Sequence, residues 1–168
     1  MTTKQIKKAA KAVLGLAELY GHDSAMQREM RLDLLLLGFF EARFGRMSRQ
    51  TKIWISGTSH PKRVDFRHGG TNPVLMEFAV RPPSGASELY GPSNRSELNK
   101  LTRFPPSKAK KRVLLLFDLK RKPIPKKNLT ATYARVRSSR GRFNRYYVRV
   151  IYVHRASEYD FSWGSRRT

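Results

Sequence analysis

Asp65 and Glu77 stand on neighbouring segments of a chain that is otherwise strongly basic. Asp65 lies in Arg63-Val-Asp-Phe-Arg-His, and Glu77 in Val74-Leu-Met-Glu-Phe-Ala-Val-Arg. Both segments have the period-two pattern of strands, and His68-Gly-Gly-Thr-Asn-Pro between them is turn chemistry. A hairpin centred near Thr71 places position 65 opposite position 77 on one face. Like charges directly opposite each other destabilise a strand pair, and a cation between them offsets the repulsion. Mg²⁺, or Mn²⁺ in its place, takes one or two carboxylates and fills its shell with water and phosphate oxygens. An ion so held can polarise a phosphodiester and acidify an attacking water. The competing reading is structural: Arg63, Arg67 and Arg81 flank the pair and can hold both carboxylates as ion pairs.

Charge points to the same class of partner. The 168 residues include 35 Lys and Arg against 12 Asp and Glu, a formal net charge of +23. Such a chain attracts polyanions: nucleic acid first, an anionic membrane surface second, an acidic protein third. Residues 108–149 concentrate the charge, with fifteen Lys and Arg against the single acid Asp118. There is no cysteine, which excludes disulfides, thiol nucleophiles and Cys-ligated metal sites. No apolar run is long enough for a transmembrane helix, and the basic start lacks the solid apolar block of a secretion signal. These features predict a cytoplasmic or nucleoid-associated, non-secreted protein that does not enter membranes. No Gly-rich phosphate loop and no Ser–His–Asp arrangement is apparent, and His22, His60, His68 and His154 show no metal-ligand spacing.

The elements that must position the carboxylates follow from periodicity. Apolar residues at helical spacing predict a first helix from Lys4 to Tyr20, and a second from the Ser24 cap to Phe44. Strands are expected at 52–56, 63–68 and 74–81, then a short helix at 94–104. Val113-Leu-Leu-Leu-Phe-Asp-Leu reads as a central strand covered on both faces. Residues 120–128 form a loop in this reading. Residues 130–137 and 145–154 are expected to form a basic β-hairpin, and the last dozen residues a fraying tail. Arg135, Arg137, Arg140, Arg142 and Arg145, interleaved with Tyr133, Phe143 and Tyr146, would bind phosphates and stack on bases; Tyr146 shares a face with Val148 and Val150 and is expected in the core, so Arg140, Arg142 and Phe143 at the loop tip are the favoured contacts. Lys110, Lys111, Arg112, Lys120, Arg121 and Lys122 would extend that surface.

An Asp on one strand, a turn, and Glu-x-Lys on the next resembles the PD-(D/E)xK, restriction-endonuclease-like nuclease superfamily. The matching segments here are Pro61-Lys-Arg-Val-Asp-Phe and Val74-Leu-Met-Glu-Phe-Ala, and the order helix, strand hairpin, helix, strand agrees over about residues 24–119. The resemblance implies an α/β fold, a mixed sheet flanked by helices, with Asp65 and Glu77 as Mg²⁺ ligands. The departure is Ala79 at the family's lysine position. Arg81 one pleat further, or Lys100 on the following helix, would then supply the cation, and Glu97, Glu29 or Glu41 a further carboxylate.

The reading is one domain, residues 1–168: a helix at 1–22, a nuclease-like core at 24–119, and a basic hairpin and tail at 120–168. The expected activity is metal-dependent endonucleolytic cleavage, of DNA in preference to RNA, with a homodimer left open. The alternatives are a non-enzymatic nucleic-acid-binding protein on the same fold, and a basic structural protein of a nucleoprotein assembly.

Overall fold

A computed structural model of the chain describes residues 1–19, 29–55, 58–83, 88–91, 94–136 and 146–164. Helix α1 (Thr3–Leu19) opens on a reciprocal cap: Thr2 Oγ1 accepts the Gln5 N–H, and Gln5 Oε1 accepts the Thr2 N–H. Helix α2 (Glu29–Phe44) ends at Gly45, whose φ of 81° supplies the left-handed turn that closes the helix. Strands β1 (Met47–Ile53), β2 (Lys62–His68) and β3 (Val74–Arg81) follow as an antiparallel meander. Helix α3 (Arg95–Leu101) then crosses to β4 (Lys111–Asp118), which runs parallel to β3. Helix α4 (Lys126–Ala134) crosses to β5 (Val148–His154), again parallel, and β6 (Ser157–Trp163) returns antiparallel. Among the described residues the sheet has six strands in sequence order, flanked by four helices.

Both faces are covered. On one, Ile6, Val13 and Leu14 of α1 and Leu32, Leu36 and Phe40 of α2 pack on Phe66, Met76, Phe78, Val113, Leu115 and Ile151. On the other, Leu98 and Leu101 of α3 and Leu129 and Tyr133 of α4 pack on Leu75, Leu114, Leu116, Val150 and Tyr152. Residues 113–117 of β4 feed the two cores alternately, so the unbroken apolar run marks a strand covered on both sides, as its composition predicts. No helix among the described residues is long and apolar enough to cross a membrane.

The C-terminal third departs from the sequence reading. Residues 130–134 of the expected strand at 130–137 belong to α4 (Lys126–Ala134), and 157–163 of the expected tail form β6. Residues 130–134 are thus not the first strand of a basic β-hairpin; β5 and β6 complete the same sheet instead of extending from it. Parallel neighbours need a crossover connection, so the segment joining β4 to β5 turns helical, burying Leu129 and Tyr133 four residues apart. In β6, Tyr159, Phe161 and Trp163 alternate toward the α3/α4 core. Asp160 and Glu158, on the opposite parity, pair with Lys7 and Lys11 of α1.

Candidate active site

The β2–β3 pairing Phe66↔Met76, Arg67↔Leu75 and His68↔Val74 has the register centred on position 71. The ladder stops one step short of Asp65 and Glu77. Beyond Phe66 and Met76 the strands no longer pair, and the Asp65 carboxylate spans the gap: its Oδ2 accepts the Phe78 N–H at 3.1 Å. Its Oδ1 accepts the side-chain N–H of Gln50 on β1 at 3.1 Å. Asp65 is therefore fixed from both neighbouring strands.

Gln50 is where β1 breaks its pleat. Its φ of 47° lies in the left-handed region, which a residue with a side chain enters at a cost. Met47 and Phe66 enter the α1/α2 core, whereas Ile53 and Val64 enter the α3/α4 core. In regular strands, Met47 and Ile53 would share a face, as would Val64 and Phe66. Both strands of the hairpin thus exchange faces at the Gln50/Asp65 position, where the β1–β2 ladder also skips a pair. Period-two alternation would put Val64 and Phe66 on one core face, and the break at Asp65 separates them.

Glu77 lies on the α3/α4 side of β3 and is 2% exposed. That side of the sheet carries a core of its own. Burial pushes its carboxyl up to about 9, the neighbouring Asp65 carboxylate adds to the rise, and Lys100 opposes it. Lys100 comes from α3, which Leu98 and Leu101 anchor to the sheet, and its Nζ is 2.7 Å from Glu77 Oε1. The site is two carboxylates on diverging strands with one ammonium delivered by the crossover helix.

Arg81, the other candidate cation, is committed elsewhere. Its guanidinium contacts Glu88 at 2.7 Å and Asp118 at 3.0 Å, and Tyr152 also donates its hydroxyl to Asp118. That network braces the ends of β3, β4 and β5. Among the described residues no further carboxylate joins the site. Glu41 accepts the Met47 N–H at 3.2 Å, and the Glu29 side chain lies outside the described residues. Asp33 pairs with Arg49. Glu97 belongs to no group of three or more His, Cys, Asp or Glu able to hold a metal, and none exists among the described residues. His68 Nε2 is 3.0 Å from the Phe44 carbonyl, and His154 is buried between Lys120 and Ala156.

The donor set nonetheless fits a hard divalent cation. Two carboxylates supply oxygen ligands, water and phosphate oxygens can complete the shell, and the repulsion that Asp65 exerts on Glu77 is what a cation between them would relieve.

The basic candidates divide. Arg112 is 5% exposed; its Nε donates to the Phe104 carbonyl at 2.7 Å and its guanidinium covers the Tyr146 ring at 4.4 Å. Burial lowers its pKa to about 10. It is a core residue and does not reach a phosphate. Lys111 donates to the Met1 carbonyl at 2.8 Å, and Lys120 pairs with Glu88 at 3.0 Å. Lys110, Arg121, Lys122 and Arg135 are exposed. Arg137, Arg140, Arg142, Phe143 and Arg145 lie outside the described residues.

Gln50 is the residue of the site that sequence reasoning missed. An amide in a polar strand carries no signal by type; only the β1–β2 register, which sets position 50 against position 65, reveals it. Compared with known protein families, curated proteins and solved structures, the chain matches none.

Proposed function

We propose that the chain is a metal-dependent nuclease of the PD-(D/E)xK type, with Lys100 of α3 standing in for the lysine that Ala79 replaces. The observation that carries this reading is the meeting of Lys100 Nζ with Glu77 at 2.7 Å, beside a carboxylate on the adjacent strand. The order α2, β1, β2, β3, α3, β4 supports the same core. Asp65 and Glu77 would hold Mg²⁺ or Mn²⁺, which when bound supplies Lewis acidity to the phosphodiester and an acidified water. Gln50 and the Phe78 N–H hold the Asp65 carboxylate in place. Lys100 supplies a positive charge for the charge that develops on the phosphate. Exposed Lys110, Arg121, Lys122 and Arg135 contribute to backbone affinity, which falls with salt. DNA is the preferred substrate in this reading.

One observation favours a second reading, a non-enzymatic nucleic-acid-binding protein. Lys100 already lies 2.7 Å from the buried Glu77 carboxyl, so that group has a partner without any metal ion. The experiment is cleavage of supercoiled, linear and branched DNA with Mg²⁺ or Mn²⁺ by wild type, Asp65→Ala and Lys100→Met. Cleavage lost in both variants, with binding retained, supports the nuclease. Salt-dependent binding by all three without cleavage supports the second reading.

A further inference from the structure

The outer face of the β1–β2 hairpin carries three side chains that folding does not use. Lys52 and Arg63 are exposed and directly opposite each other in the ladder. Like charges in that position destabilise the pair, and neither takes part in an ion pair among the described residues. Two residues along, Trp54 is 62% exposed, although Ile53 and Ile55 on either side of it are buried in the α3/α4 core. An indole is among the costliest side chains to leave in water. Here it shares a surface with two cations, one residue beyond the strand that carries the glutamine holding Asp65.

We infer that this face binds a single-stranded stretch of nucleic acid, with a base stacked on Trp54 and phosphates on Lys52 and Arg63. The inference deepens the proposed function by naming a substrate with unpaired bases. Charge complementarity selects the partner: a polyanion turns the Lys52–Arg63 repulsion into attraction. The indole selects the form, because base faces are open to stacking in a single strand and closed in a duplex. Ile53 and Val64 turn into the α3/α4 core that Glu77 also faces, so Lys52, Arg63 and Trp54 lie on the other side of the sheet; β1 is an edge strand, and a single strand held here would turn round that edge to reach Glu77.

The two tryptophans differ enough to report on it. Trp163 is 8% exposed and donates to the Tyr133 carbonyl, so a ligand reaches Trp54 alone. The test is a fluorescence titration of the full chain with a short oligothymidylate and with a duplex of equal length, in chelator so that no metal chemistry takes part. The expected result is quenching by the single strand in wild type. Trp54→Ala should bind about 5- to 150-fold more weakly, and Trp54→Phe should keep most of the affinity. Lys52→Gln and Arg63→Gln should each lower the salt slope by about 0.7. Wild-type affinity in Trp54→Ala overturns the inference, as does a duplex bound equally well with equal dependence on Trp54. Melting temperatures of the variants exclude misfolding as the cause. Asp65→Ala, titrated alongside, separates this surface from the catalytic reading: loss of cleavage with binding intact leaves the Trp54 surface standing.

Discussion

Replacing Glu77 by Gln should stabilise the metal-free protein, and by an amount that depends on pH. In the fold Glu77 keeps its proton up to about 9, whereas its ordinary value is 4.5. Between those values the folded state holds one proton more than the unfolded chain. Stability is therefore full below the ordinary carboxyl range and falls as pH rises, by ~1.4 kcal/mol per pH unit, until the folded group ionises. At neutral pH the accumulated loss is about 3 kcal/mol. Gln at this position keeps an oxygen that can accept from Lys100 and has no proton to lose. Glu77→Gln should thus match wild type at mildly acidic pH and exceed it by up to ~3 kcal/mol near neutrality. The assay is denaturant unfolding in chelator across that range, repeated with Mg²⁺. A cation that binds only the folded state at a hundred times its Kd adds ~2.7 kcal/mol, and that gain should appear in wild type and vanish in the variant. A variant less stable than wild type by the same amount at every pH refutes the reasoning. It would mean that Glu77 is ionised in the fold and that Lys100 alone satisfies it.

Four further outcomes follow from the structure. Gln50→Gly relieves the left-handed backbone and deletes the donor to Asp65; it should hold or raise the melting temperature while weakening Mn²⁺ binding by about 10-fold or more in calorimetry. Arg81→Ala leaves Asp118 buried without its guanidinium and should cost about 3–5 kcal/mol in denaturant unfolding. Lys100→Met should instead lower the cleavage rate by about 10²–10³-fold, and its unfolding should show a smaller loss than that of Arg81→Ala. At Gly91 an added Cβ would lie 2.2 Å from Val136 Cγ2 and 3.2 Å from the Tyr133 backbone, so Gly91→Ala should cost about 1–3 kcal/mol with the sheet retained by circular dichroism.

The sequence by itself determined what neighbouring residues decide. The turn at 69–73 and the period-two segments around it set the β2–β3 register, and with it the approach of Asp65 to Glu77. Helical spacing placed α1 and α3, and the apolar run at 113–117 placed a strand between two layers. Tertiary structure alone decided which cation meets Glu77. Arg81 shares the strand and the parity of Glu77, yet lies where β4 brings Asp118 to it, while Lys100 arrives through the docking of a separate helix. It also decided that Arg112, one of a basic run, is buried under Tyr146. Residues 126–134 became a helix because the strands on either side of them are parallel, a fact held in pairings distant along the chain. Side-chain periodicity records which face of an element is apolar. It does not record what other elements bring to that face, and the ammonium beside Glu77 and the glutamine beside Asp65 both come from other elements.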